Sequence, residues 1–225
     1  MGIVKRGRKT TLRIGRKAAI LGFPIITLAL GVLWLPWLPD QLDMHWGADG
    51  RVTLRAPTAV ALLIVPAIGA FLGFGLLALG HRWRSRFEGN SFQLFERSLV
   101  GLQCAFLIVH LAVLALNAGF AIQPEMIGSL VAAIAFFGAG LLMRDADRNP
   151  LLGVRTRHTL ADATVWEATN RRVSLWLRLA ACVCLLGVIR PDWALYVILG
   201  SALLIAVDAH FYAARLYRER HPDDG

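Results

Sequence analysis

Charge is scarce in this sequence, and acidic charge scarcer still: 17% of the 225 residues are charged, with 24 Lys/Arg against 15 Asp/Glu. A soluble domain carries about 25% charged residues, so an ordinary water-exposed surface is not expected. Cysteine is nearly absent. Cys104, Cys182 and Cys184 lie inside apolar runs and form no CxxC pair. That excludes a disulfide framework and a thiolate metal site, and leaves three small buried hydrophobes. Cys182 and Cys184, two residues apart, point to nearly opposite sides of a helix. HExxH, a phosphate-binding glycine loop and a nucleophile–base arrangement are also missing. No catalytic set can be assembled, so no enzyme activity, cofactor or metal is expected.

Long apolar runs stand in place of these features. Hydrophobic residues make up 56% of the chain. A helix needs about 20 apolar residues to cross the hydrocarbon core of a bilayer. Six runs approach or meet that length: 18–38, 58–79, 98–120, 126–143, 173–189 and 193–211. The fifth contains Arg178 and the sixth Asp208. The expected fold class is all-α, a polytopic transmembrane helical bundle of six spans. The first run has the basic start of a signal peptide. It is long, however, ends in Trp34, Pro36, Trp37 and Pro39, and has no small-residue cleavage pattern, so it reads as a retained anchor. Gly69 and Gly73 form a GxxxG that suits close helix packing. Pro24 and Pro66 are expected to kink their helices.

The basic residues decide direction. The segment before the first run holds Lys5, Arg6, Arg8, Lys9, Arg13, Arg16 and Lys17. Together with the loops after runs two and four and the tail, it accounts for 20 of the 24 basic residues. Only Arg51, Arg55 and Arg190 fall on the other side, and Arg178 falls within a run. The positive-inside rule then puts both termini in the cytoplasm. Trp34, Trp37, Trp46 and Trp193 are expected at the outer interface, and Trp83 and Trp166 at the inner one. Basic residues placed between apolar runs point to anionic lipid headgroups rather than to nucleic acid.

Two loops carry information. The outer one, residues 38–51, contains an Asp49-Gly50 turn signal and the pair His45-Trp46. It reads either as a contact for an extracellular ligand or as a connector anchored by its tryptophan. One His among scattered aspartates is not a zinc pattern. The inner loop begins at Asn149. Thr159 and Asp162 look like a capping box opening a short helix. That helix would hold Val165, Trp166 and Thr169 on one side and Glu167, Arg171 and Arg172 towards solvent, and would run into the fifth span. Arg155 and Arg157 suit lipid phosphates or a partner's carboxylates.

These loops carry a family resemblance. Pro39…His45-Trp46…Gly50, leading into an apolar span, resembles the outer-loop pattern of a small bacterial membrane domain of unknown function that accompanies the SdpI/YfhL family. Asn149…Gly153-Val154-Arg155-Thr156…Thr159-Leu160…Trp166…Asn170-Arg171 looks like the pattern of that family itself. The resemblance covers about 36–211. Where many members carry His, this chain has Asn170, so no titratable group stands there. With the apolar runs, the resemblance suggests a two-span domain 18–85 and an SdpI-like four-span domain 86–213, while the basic segment 1–17 and the tail 214–225 fall outside the resemblance. It also implies a bacterial cell-membrane protein that confers immunity to a secreted antimicrobial peptide toxin and signals to a cytoplasmic regulator. The candidate ligand or partner contacts are His45, Trp46, Gly50, Asn149, Gly153, Arg155, Thr156, Trp166 and Asn170.

Charges within spans need partners. Arg178 and Asp208 reach similar depth in a hairpin turned at Arg190-Pro191-Asp192, and an Arg178–Asp208 ion pair is expected. His110 and Asn117 lie in the third span, where His110 reads as a packing group. The alternative function is a small transporter. His110, Asn117, Arg178 and Asp208 would line its pathway, and a homodimer would be needed to enclose it.

Overall fold

The computed structural model describes residues 3–47 and 51–222, with side chains from Gly15 onward. Lys5, Arg6, Arg8, Lys9 and Arg13 in the basic segment fall outside the described side chains, and Asp49 and Gly50 outside the described residues. Among the described residues, six helices are long and apolar enough to cross a membrane. A bilayer offers no water to unpaired backbone groups, so apolar runs of this length close their hydrogen bonds internally as helices. The spans are α1 (Ile3–Trp34), α2 (Thr58–Arg82), α3 (Ser91–Asn117), α4 (Pro124–Arg144), α6 (Ala163–Cys184) and α8 (Ala194–Arg220). Two short helices, α5 (Arg157–Ala161) and α7 (Leu186–Ile189), precede and follow α6. Helices α1 and α2 run on through Pro24 and Pro66.

The contacts divide the chain into two units. The first is Met1–His81 with Glu96–Pro124; the second is Arg82–Phe95 with Glu125–Gly225. Each is built around a different use of polar side chains.

In the first unit the loop after α1 folds as an antiparallel hairpin of β1 (Gln41–Trp46) and β2 (Val52–Pro57). An all-α expectation omitted it, although Leu42, Met44 and Trp46 alternate as a half-buried strand should. Leu42 is buried and packs with Ala61, Leu62 and Leu114, with Met44 against that cluster, while His45 is exposed. Register irregularities lie between Asp43 and Trp46, which bend the strand locally.

The first unit also buries a polar stripe. Glu96, Gln103, His110 and Asn117 recur every seventh residue of α3. Seven residues are close to two helical turns, so the four lie along one face. Glu96 is 0% exposed and takes a hydrogen bond from Arg16 Nη2 at 3.0 Å. Gln103 Nε2 donates to the Gly69 carbonyl at 2.8 Å, and a Cβ at Gly73 would collide with the same amide. The GxxxG of α2 is therefore the notch that admits Gln103. His110 is buried against Gly31, where a Cβ would come within 2.8 Å of His110 Nε2. Asn117 reaches the hairpin. Its Oδ1 accepts from the Asp43 N–H at 2.7 Å and its Nδ2 donates to the Asp43 carbonyl at 3.0 Å.

In the second unit, Val173, Leu177 and Ala209 form a core shared by α6 and α8, with Phe136, Ala139 and Met143 of α4 against it. Phe87, Phe92 and Phe95 form an aromatic cluster before and at the start of α3. Cys184 is buried and Cys182 exposed, so the opposite-side expectation is met and burial of Cys182 is not.

Candidate functional site

The most densely bonded polar structure in the second unit is the loop between α4 and α6. Asn149 starts it. The Asn149 Oδ1 accepts from the N–H groups of Leu151 and Leu152, at 3.0 and 2.6 Å, an Asx turn that reverses the chain. Gly153 follows with φ of +95°, the left-handed region where a side chain is strained. A Cβ there would stand 2.6 Å from Asn170 Oδ1 and 3.1 Å from the Trp166 ring. Asn170 Oδ1 instead accepts from the Val154 N–H at 2.8 Å, while its Nδ2 donates to the Trp166 carbonyl at 2.9 Å. Trp166 Nε1 donates to the Ala146 carbonyl at 2.8 Å. One helix face thus grips the loop at both ends.

The helix starts differ from expectation. Thr156, not Thr159, is the N-cap of α5. The two threonines cap each other: Thr159 N–H donates to Thr156 Oγ1 at 3.2 Å and Thr156 N–H to Thr159 Oγ1 at 2.9 Å. Asp162 then caps α6 by accepting from Thr164 and Val165 N–H at 2.7 and 3.2 Å. Its other oxygen takes Arg220 Nε at 2.9 Å and sits 3.0 Å from His221 Nε2. These hydrogen bonds, from Arg220 first and His221 second, hold the Asp162 carboxyl well below the usual carboxylate range. The expected division of α6 holds, with Val165, Trp166 and Thr169 buried and Glu167, Arg171 and Arg172 exposed.

The expected contact residues therefore separate into two kinds. Asn149, Trp166 and Asn170 are buried and bonded to the loop backbone. Gly153 supplies the conformation they grip, and Thr156 caps α5. Asn149, Trp166 and Asn170 thus shape the loop from within. Trp166 is likewise not an interfacial anchor, being 2% exposed with its indole N–H bonded inside the unit. Arg155 differs in facing solvent.

The expected Arg178–Asp208 pair does not form. Asp208 is held by Arg172, with Nε–Oδ2 at 2.8 Å and Nη2–Oδ1 at 2.7 Å, a two-point fork. The same guanidinium lies over Tyr212, 4.7 Å from the ring centroid. Arg178 turns back and donates Nε to the Ser174 carbonyl at 3.1 Å. The two arginines are six residues apart, about 9 Å along a helix axis and about a third of a turn around it. The contact of α6 with α8 brings only Arg172 level with Asp208.

In the first unit, the exposed end of the hairpin presents His45, whose Nδ1 is 2.6 Å from Thr53 Oγ1, beside half-buried Trp46. Asp43 pairs across the strands with Arg55 at 2.7 Å. With the Asn117 clamp behind it, this is a folded platform and not a slack connector. Among the described residues no group of three or more His, Cys, Asp or Glu is placed to hold a metal ion.

Six apolar helices, a hairpin between the first two and a buried-Trp loop between the fourth and fifth define a multi-pass α-helical membrane protein. Residues 145–212 match the SdpI/YfhL protein family. The chain is also 26% identical over 192 residues to Immunity protein SdpI of Bacillus subtilis strain 168, across 84% of this chain and 89% of that protein. The SdpI/YfhL resemblance read from the loop residues is borne out, over the segment that holds the loop and, by the longer match, over most of the chain. No solved structure matches it.

Proposed function

We propose that this protein is an SdpI-like immunity protein of the bacterial cell membrane, protecting its cell from a secreted antimicrobial peptide without catalysis. The observation that carries the reading is the match to Immunity protein SdpI over most of both chains. Both ends of the chain lie in the cytoplasm, as its basic residues favour. By counting crossings, the hairpin then faces outward and the loop of Asn149–Asn170 inward. The hairpin offers an aromatic and an imidazole at the depth where an amphipathic peptide would lie. The inner loop would pass the event to a cytoplasmic regulator if peptide binding favours one of two helix arrangements.

Expression in a toxin-sensitive strain tests this. Growth in the presence of a membrane-active peptide should be restored. His45→Ala with Trp46→Ala should remove most of the protection while the protein stays in the membrane at normal abundance. Unchanged sensitivity across a panel of such peptides overturns the immunity reading. Pull-down from native membrane with and without the peptide tests the signalling arm, where recruitment of a cytoplasmic protein should depend on Arg155.

One observation favours a second reading, a permeation protein. Glu96 Oε1 and His110 Nε2 in the polar stripe of α3 are buried and without a hydrogen-bond partner among the described residues. Flux of protons or solutes in reconstituted vesicles, abolished by His110→Leu, would support it.

A further inference from the structure

The second unit carries a basic groove that immunity does not call for. It lies between α5, with the residues just before it, and the last turns of α8, and encloses about 990 Å3. Arg155, Arg157, His158, His210 and Arg218 line it, and none of its lining residues among those described is acidic.

The arginines of this groove differ from others in the same unit. Arg148 is paired with Glu88, Arg172 with Asp208, Arg215 with Glu219 and Arg220 with Asp162. Arg155, Arg157 and Arg218 have no carboxylate partner among the described residues. Arg157 Nε points at His158 Nε2, 3.2 Å away, and Arg218 Nε at the Ala214 carbonyl, 3.4 Å away. Asp162, at the end of α5, has both oxygens engaged by its caps, Arg220 and His221. Three guanidiniums around one hollow, with no carboxylate partner among the described residues, repel each other, and a multi-oxygen anion would relieve that repulsion with forked hydrogen bonds. His158 feels the same field. Its proton affinity is lowered by burial first, and then by the charges of Arg157, His210 and Arg218.

The groove also has an apolar side. Phe211 and Ala214 line it, and Phe211 is 67% exposed. A cationic hollow beside an exposed ring, where α8 leaves its apolar run, suits a phosphate with a hydrocarbon chain attached. We propose that the groove is a binding site for a phosphate-bearing anion, held by Arg155, Arg157 and Arg218, as the headgroup of an anionic lipid or as free phosphate. A diffuse attraction between basic loops and a charged surface would not single out these three arginines.

The test uses the full chain purified in a nonionic detergent. Its thermal midpoint is measured at fixed ionic strength with dihexanoyl phosphatidylglycerol, with dihexanoyl phosphatidylcholine and with inorganic phosphate. Phosphatidylglycerol should raise the midpoint by several degrees and phosphatidylcholine should not. A shift with phosphatidylglycerol alone identifies the lipid headgroup; an equal shift with inorganic phosphate identifies the free anion. Arg155→Ala with Arg157→Ala and Arg218→Ala should abolish the shift, while Arg171→Ala with Arg215→Ala should keep it. Should the triple variant fail to fold, Arg218→Gln alone should raise the half-saturating concentration about tenfold, one charge-assisted hydrogen bond's worth. The proposal is overturned if neither phosphate probe shifts the midpoint, or if the Arg171/Arg215 variant loses as much as the groove variants.

Discussion

The two units spend their buried polar groups in opposite ways. The first strings them along a single helix, one to each pair of turns of α3, so that every contact lies at a different depth: Arg16 with Glu96, Gly69 with Gln103, Asp43 with Asn117. The second gathers them at one end, where Asn149, Thr159, Trp166 and Asn170 tie a single loop. A spread stripe sets the register of helices along their length, because each bonded polar group meets its partner on another element at its own level. A gathered knot sets the shape of one surface and leaves the apolar spans to pack by small residues and shape. The difference predicts that single substitutions in the first unit act locally, and that those in the knot act together.

The largest effect is expected at Trp166. Trp166→Ala removes a buried indole and leaves the Ala146 carbonyl without its donor, a loss of about 3–5 kcal/mol. Chemical denaturation in detergent measures it. Trp166→Ala and Asn170→Ala should lose less together than the sum of their separate losses, since both hold the same loop; strict additivity would break the picture of a single knot.

Asn117→Ala comes next, at about 1–3 kcal/mol, because the half-buried Asp43 backbone groups lose both partners. Here the loss should stay local. Hydrogen exchange should speed in residues 41–57 and stay unchanged in 145–170.

A smaller effect belongs to Arg172 and Arg178. Arg172 and Asp208 should show a coupling of about 1 kcal/mol in a double-mutant cycle, with the fork in place and both groups partly exposed. Arg178 and Asp208 should show none. Coupling of Asp208 to Arg178 instead would restore the pairing suggested by the sequence.

The smallest effect is a pH dependence. The folded Asp162 carboxyl titrates below its unfolded value. Its contribution is therefore present in full above the unfolded pKa and is lost as pH falls through the depressed folded one. Asp162→Asn should lower the neutral plateau of the thermal midpoint and flatten that acid limb.

Much of this was legible in the residues. The six spans follow from apolar length, and the buried face of α6 from the spacing of Val165, Trp166 and Thr169. Two features carry only a weak mark in the sequence. Leu42, Met44 and Trp46 alternate with period two, the mark of the hairpin strand, but the segment is short and flanked by much stronger helical patterns. Glu96, Gln103, His110 and Asn117 repeat with period seven, but only His110 and Asn117 stand deep in the apolar run as isolated polar residues. The cap of α5 lies one turn before the expected Thr159, because Thr156, Thr159 and Asp162 all fit the same local chemistry.

By itself, the sequence determined that this protein spans a membrane as helices, because apolar runs in lipid leave the backbone no other way to bond. It also showed which loop residues resemble the SdpI/YfhL pattern. Tertiary structure decided what those residues do. Asn149, Trp166 and Asn170 turn inward to build the loop, leaving Arg155 outside, and Arg172 meets Asp208 where Arg178 was expected. Sequence spacing fixes the height and face of a side chain on its own helix. Which partner stands opposite depends on how two helices pack, and that depends on every residue between them.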